Sequence, residues 1–304
     1  MQDYIIRATA GGGSVRIFIA STRDLVNESA CRHNSTPVAT VALGRTLTAA
    51  AMMGAMLKND TDIITLDIRG SGELGGIVAV ADSMSRVKGY TFNPHLELKQ
   101  SETGEAYIQL MKKPSGKLDV AGAIGAGMLT VTQDMGLKEP VHGSVELVSG
   151  EIAEDIAYYY TVSEQTPSAV MLGVLIDTDM TVKQAGGLIV QKMPDADDAI
   201  VDEISQILAN LLPMTTLLEY GHSIEDILHE VFAEFDLQIL DTIYPKFYCN
   251  CSRDKTRTAL ATIGRNELES IQREDKGAEL HCHFCCTDYV FTEDDVAELL
   301  SIVT

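Results

Sequence analysis

The chain is poor in cysteine, with six in 304 residues. It also lacks any long apolar run. Its longest stretch of apolar or small residues, TAAAMMGAML, falls far short of the roughly 20 residues a helix needs to cross a bilayer, so no membrane partner is expected. The first residues, MQDYIIRATAGGG, place an acid at position 3 and have no apolar h-region. They do not read as a signal peptide, and the expected location is cytoplasmic. Most conspicuously, no Lys or Arg lies between Lys192 and Lys246. That interval carries Asp195, Asp197, Asp198, Asp202, Glu203, Glu219, Glu225, Asp226, Glu230, Glu234, Asp236 and Asp241, more than half of a net charge of −21. An acidic belt repels phosphate backbones, which argues against nucleic acid as a partner. Like charges at helical spacing also weaken the helices that carry them, so this segment is expected to be marginally stable. Nucleophile-elbow and metalloprotease motifs are missing too, and the chain does not read as an enzyme.

Apolar content is 45% and mean hydropathy is near zero, ordinary values for a soluble globular protein long enough for two domains. Three zones follow from the pattern, and the fold class is α+β: an N-terminal α+β domain, a helical linker and a small C-terminal metal-binding domain. In the first zone, 1–193, YIIRAT and SVRIFIAS flank GGG and predict a hairpin. TPVATVALGRTLTAAAMMGAMLK has no breaker after Pro37 and predicts a buried helix. DIITLDIRG, GGIVAVAD, VKGYTFN, MLTVTQD, GSVELVSG and GGLIVQKM predict strands with Gly or Asp turns between them. GSGELG at Gly70–Gly75 satisfies GxGxxG, but the strand-like IVAVAD after it predicts a turn between strands, not a dinucleotide site. GEIAED offers Glu151, Glu154 and Asp155 as acid–base candidates, yet reads better as a solvated helix start.

The second zone, 194–245, switches to a period of about 3.6. Ile200, Val201, Ile204, Ile207, Leu208, Leu211 and Leu212 fall on one helical face, which Pro213 ends or kinks. SIEDILHEVF restarts with Ser223 and Asp226 in a capping-box spacing, and its apolar face is Ile224, Ile227, Leu228, Val231 and Phe232. Two such stripes under acidic outer faces must be covered, and the neighbouring domains are the expected cover.

The third zone, 246–304, holds five of the six cysteines. Beside them are two short helical patterns, a β-type CTDYVF and a last helix opened by Thr292 with Asp295 three on. So small a zone is expected to need a structural metal. Cys249 and Cys251 form a Cys-x-Cys pair, and Cys282 and Cys285 a CxxC within an expected turn. Two close pairs about thirty residues apart can set four thiolates tetrahedrally around one Zn²⁺. His281 and His283 flank the site and could substitute as ligands, although exposed neighbours is the simpler role. Cys286 offers a second register, Cys282 with Cys286, and an alternative disulfide partner. Cys31 stands alone and reads as a small buried hydrophobe. Oxidising four clustered thiolates would expel the metal, and with it roughly 10–16 kcal/mol of apparent folding free energy. The site therefore has the makings of a switch. A purely structural zinc-ribbon adaptor is a rival reading, which the acidic charge of the zone disfavours. A thiol oxidoreductase using Cys282 and Cys285 is another, which the lack of a thioredoxin-like βαβ pattern disfavours.

The block YCNCSRDK…HCHFCCTDYVFT closely resembles the zinc-centre signature of the redox-regulated heat-shock chaperone family of thirty-three kilodaltons. GMLTVTQDMG, GSVELVSGEIAEDIAYYYTVSEQTPSAV and AGGLIVQKMP resemble that family's N-terminal domain, and LLEYGHSIEDILHEVF its linker. The resemblance implies an ATP-independent holdase for unfolding client proteins, inactive when reduced and zinc-loaded. The family's ligands carry over to Cys249, Cys251, Cys282 and Cys285. Its oxidised pairing would join Cys249 to Cys251 and Cys282 to Cys285, with Cys286 casting doubt on the second bond. The resemblance also implies dimerisation on activation. Loss of the zinc zone would uncover the linker stripes, making Ile204, Leu208, Ile227 and Leu228 candidate client contacts. Met52, Met53 and Met56 are adaptable enough for a promiscuous site, although a Met-bearing helix also suits plain core.

Overall fold

The computed structural model describes residues 2–101, 104–194 and 196–302; Asp195 of the acidic belt lies outside them. The chain divides into two compact units, Met1–Tyr248 and Cys249–Thr304. In the first, β1 (Tyr4–Ala10) and β2 (Val15–Ser21) form the expected hairpin, and Gly11, Gly12 and Gly13 all take positive φ in its turn. Next come α1 (Arg23–His33) and α2 (Pro37–Gly54). The strands β3 (Ile63–Gly70), β4 (Gly76–Asp82) and β5 (Arg86–Thr91) follow, then a small hairpin of β6 (Leu98–Gln100) and β7 (Ala106–Ile108). After α3 (Val120–Ile124) the chain runs through β8 (Gly127–Asp134), β9 (Val141–Glu146), α4 (Ala153–Val162), β10 (Ser168–Ile176) and β11 (Val182–Lys192). The acidic segment forms α5 (Asp198–Asn210), α6 (Met214–Glu219) and α7 (Ile224–Phe232), and the unit closes with β12 (Gln238–Ile243) and the short β13 (Lys246–Phe247).

Two sheets result. One is antiparallel, in the order β10-β11-β2-β1-β12; the other runs β13-β5-β4-β3-β8-β9, with β13 parallel to β5. The helix α2 packs against strands of both sheets and is buried along its length except at Arg45. Its small residues permit this. A Cβ on Gly44 would lie 2.5 Å from Val26 Cγ1 and 2.9 Å from Val174 Cγ2, so no side chain fits there without displacing β-branched neighbours. Strand β2 reads VRIFIAS because both its faces are covered. Phe18 and Ala20 meet the α2 side, whereas Val15, Ile17 and Ile19 meet the opposite cluster.

That opposite cluster is where the linker stripes go. Ile204 and Leu208 of α5, Met214, Leu217 and Leu218 of α6, and Ile224, Ile227, Leu228, Val231 and Phe232 of α7 pack with Ile6, Ile17, Ile19 and Leu188. Ser223 and Asp226 form the expected capping box. Leu212 does not join the stripe, because it falls past the end of α5 and is exposed. Tyr4 Oη donates to Glu225 at 2.5 Å and ties α7 to β1.

Three local expectations are settled by burial. Cys31 is exposed, not buried, because α1 turns Leu25, Val26, Ser29 and His33 inward and leaves Cys31 on the outer face. GSGELG is the turn between β3 and β4, where a Cβ on Gly72 would meet the Ala123 carbonyl at 2.3 Å. The GEIAED segment does start a helix, but a solvated start is wrong for it. Asp155 is fully buried and accepts the N–H groups of Val148, Ser149, Gly150 and Ile152, while Glu151 pairs with Arg45 and Lys113.

The second unit contains α8 (Arg253–Ala261), α9 (Arg265–Glu274), the hairpin of β14 (Gly277–Cys282) and β15 (Thr287–Thr292), and α10 (Glu293–Ile302). Its core is Leu260, Leu268, Phe291, Val296, Leu299 and Leu300, too few for a unit of this size to rely on burial alone. Thr292 and Asp295 cap α10 as expected.

Replacing Asp155 by Ala orphans four amides at once and should lower stability by about 2–4 kcal/mol, read as a fall in the urea midpoint of the first unit. Asp3 supplies a pH test. Burial pushes its carboxyl up to about 6, against N–H donation from Leu25 and Asp24 at the start of α1. A raised acid favours folding when protonated, so its contribution is full below about pH 4 and is lost as pH rises through 6. The stability gap between Asp3→Asn and wild type should therefore move in favour of Asn by about 1 kcal/mol between pH 5 and 7.5. A gap that stays flat with pH would contradict the raised value.

Candidate metal centre

The second unit begins with its first half-site. Cys249 and Cys251 lie in the extended chain before α8, whose N-cap Ser252 accepts the Lys255 N–H. The second half-site is the β14–β15 turn. Cys282 ends β14, and its carbonyl accepts the N–H groups of Cys285 at 3.2 Å and Cys286 at 2.8 Å. Cys286 takes φ +54°, in the left-handed region, and that residue turns the chain into β15.

These two segments bring four sulfurs together. The ligand atoms of Cys249, Cys251, Cys282 and Cys285 all lie within 4.8 Å of one another. Cys249 Sγ is 3.7 Å from Cys282 Sγ, and Cys251 Sγ is 3.3 Å from Cys285 Sγ. A tetrahedron with metal–sulfur bonds of about 2.3 Å has edges of about 3.8 Å, so the separations suit one ion. Cys286 is not a member of the group, nor are His281 and His283. His281 Nδ1 instead lies 2.6 Å from Asp288 Oδ1.

The electrostatics point the same way. Burial pushes the Cys249 thiol up to about 12, and burial raises Cys282 as well. Burial also acts upward on Cys285, but hydrogen bonds from Thr287 and its sulfur neighbours outweigh it and hold that thiol down at about 7. Four thiolates this close repel one another strongly, and a divalent cation among them removes the penalty. Four sulfur donors in a tetrahedral set are soft ligands of the kind that hold zinc or iron–sulfur clusters, so the residues fit a metal of that class.

Two further side chains reach the sulfurs. Tyr289 Oη lies 3.1 Å from Cys251 Sγ, and Thr287 Oγ1 lies 3.3 Å from Cys285 Sγ. The Cys251 contact keeps the Tyr289 hydroxyl protonated, pushing it up to about 12. Sequence reading missed both residues, although CTDYVF, read as a strand, sets Thr287, Tyr289 and the buried Phe291 on one face at a period of two.

The proposed client contacts are elsewhere. Ile204, Leu208, Ile227 and Leu228 are buried between the linker helices and the five-stranded sheet. Met52 and Met53 are in the core beside α2, and Met56 is half-buried, with the Tyr160 hydroxyl 3.2 Å from its sulfur.

Cys282→Ser should abolish binding of one equivalent of zinc and leave the second unit without protected amides, as read by metal analysis and amide exchange. A variant that kept one tightly bound zinc and a folded second unit would assign the fourth ligand to Cys286 or a histidine.

Comparison with known proteins supplies independent information. The family model described as "Hsp33 protein" matches residues 3–292. A 33 kDa chaperonin of Clostridium botulinum is 50% identical over 301 residues, covering 99% of this chain and 98% of that protein. One of Clostridioides difficile is 48% identical over 99% of both. The crystal structure of the 33 kDa chaperonin (heat shock protein 33 homolog) from Thermotoga maritima superimposes with a TM-score of 0.89 at 38% identity, covering 99% of each chain.

Proposed function

Since the chain belongs to the Hsp33 protein family, we propose that it is a redox-switched, ATP-independent holdase whose sensor is the four-cysteine centre. The observation that carries this reading is the meeting of four sulfurs from two half-sites in a unit with only a small core. Zinc, when bound, would neutralise the thiolates and tie the Cys249–Cys251 segment to the β14–β15 turn. Cys249, Cys251, Cys282 and Cys285 would be its ligands and also the residues oxidised. The family pairing joins Cys249 to Cys251 and Cys282 to Cys285. Cys286 is the alternative partner, since its amide bonds the same Cys282 carbonyl as that of Cys285. The first pairing would remove all four ligand thiolates, and the alternative would remove three, leaving Cys285 alone. In either case the set that holds one ion is broken, and the core would have too little burial to stay folded.

The client surface in this reading lies under the linker. The helices α5–α7 carry the acidic belt outside and Ile204, Leu208, Ile227 and Leu228 inside. Their departure would uncover both the stripes and the Val15, Ile17, Ile19 face of β2. Such a surface binds unfolded segments through non-directional apolar contact, at about 25 cal/mol per Å² buried. The same exposed face accounts for dimerisation on activation. Met52 and Met53 stay in the core in this scheme, and Met56 borders it. The linker, 194–245, thus acts as a functional region of its own although it packs within the first unit. The belt of negative charge disfavours nucleic acid, no helix among the described residues is long and apolar enough to cross a membrane, and the cytoplasm is the compartment in which thiols would rest reduced.

The test is light scattering from a thermally unfolding client, with the protein either reduced and zinc-loaded or treated with peroxide under mild heat. Suppression of scattering by the oxidised sample alone is expected. Equal behaviour of the two samples would leave zinc as a structural staple and remove the switch.

A further inference from the structure

Each sulfur of the centre has hydrogen-bonding neighbours, and two of the four have a side-chain hydroxyl among them. Cys249 is approached by the Cys251 amide, and Cys282 by the amides of Phe284 and Cys285. Cys251 and Cys285 also meet side-chain hydroxyls: Tyr289 lies 3.1 Å from Cys251, where either atom can donate, and the Cys285 thiol donates to Thr287 Oγ1 at 3.3 Å beside a contact with the Thr287 amide. The two hydroxyl-bearing sulfurs are neighbours, 3.3 Å apart. Both donors stand on one face of β15, two residues from each other, and Phe291 on the same face is buried in the core of the unit. Once the sulfurs are thiolates the only proton left in each of these contacts belongs to the hydroxyl, so the Cys285–Thr287 bond reverses and both hydroxyls donate.

We propose that Tyr289 and Thr287 are positioning residues that set how fast the centre is oxidised: their hydroxyls engage lone pairs on Cys251 and Cys285 and hold those sulfurs back from peroxides. The inference rests on the switch reading above. Oxidation begins when a thiolate lone pair forms an S–O bond as the peroxide O–O bond breaks, giving a sulfenic acid and a hydroxide ion. A second thiolate then forms the S–S bond and expels the sulfenic oxygen as a second hydroxide. The two electrons lost by the sulfurs reduce the peroxide. A hydroxyl already bonded to the attacking lone pair must be displaced or left weakened in the first step. Sulfur nucleophilicity follows electron density with a coefficient of about 0.4–0.5, so losing one donor should speed attack about threefold.

The experiment measures zinc release from the reduced, zinc-loaded full chain with a metallochromic indicator across a range of hydrogen peroxide concentrations. The slope reports attack on sulfur and the intercept reports spontaneous loss of metal. Tyr289→Phe and Thr287→Val should each raise the slope about threefold, and Thr287→Ser, which keeps the hydroxyl, should restore the wild-type slope. Mass spectrometry of quenched samples should find the gain of Tyr289→Phe in the disulfide that contains Cys251, and that of Thr287→Val in the one that contains Cys285. Unchanged slopes, or higher intercepts alone, would overturn the proposal and leave both residues as packing. A wild-type protein that releases its zinc at one rate whatever the peroxide concentration would instead overturn the switch itself, and the inference with it.

Discussion

Mutual repulsion among four clustered thiolates is the constraint on which the second unit depends. Sulfurs within 4.8 Å of one another hold together only if protons, a cation or covalent bonds remove their charge. Each solution gives a different protein. A cation would pin the segment before α8 to the β14–β15 turn and complete a core whose cluster among the described residues has six buried apolar side chains. Disulfides would satisfy the sulfurs in pairs and release that tie. In the proposed reading the unit would couple a chemical choice at sulfur to a folding choice in the backbone, because its apolar burial is small.

The linker helices stand in a similar balance within the first unit. Their inner faces bury large apolar side chains against the five-stranded sheet, and their outer faces carry acids without a single Lys or Arg among them. Few ion pairs offset that charge: Lys183 reaches Glu219 and Lys192 reaches Asp198, both from β11. Exposed pairs of this kind contribute little. Beside a few hydrogen bonds, such as Tyr4 to Glu225 and Gln184 to the Leu218 carbonyl, attachment comes from apolar contact, the same kind of contact an unfolded chain can offer in exchange. In the proposed reading, a surface held by replaceable interactions could be shared between a resident helix and a passing client.

Much of this was legible in residue order, where a local rule coincided with the tertiary need. The hairpin at Gly11–Gly13, the buried α2, the Ser223–Asp226 cap and the CxxC turn each follow from spacing alone. Other features depend on what lies across the chain. Helix α1 escaped notice because RDLVNESACRH has few apolar residues and gains its place by packing Leu25 and Val26 under α2 and β11. Cys31 was misplaced because type alone does not reveal which face of such a helix it occupies. Asp155 looked like a solvated helix start, yet the loop just before α4 folds back so that its carboxylate collects the amides of Val148, Ser149, Gly150 and Ile152, and residue type alone does not announce that turn. The four sulfurs were legible as a set, whereas the hydroxyls of Tyr289 and Thr287 were not, since strand alternation states a shared face and not what that face meets.

Strand β1 pairs on one side with β2, its immediate neighbour in sequence, and on the other with β12, near the end of the first unit. During synthesis the first edge is filled almost at once, but the second has no partner until Gln238–Ile243 has left the ribosome. Through most of translation the nascent chain therefore displays an unpaired strand edge from Ile5 to Thr9. Few contacts in the molecule span a longer separation in sequence, and closure of this sheet is accordingly slow and late in folding. A member of a chaperone family thus passes through its own synthesis with an open β-edge of the kind that invites wrong pairing until its late strand arrives.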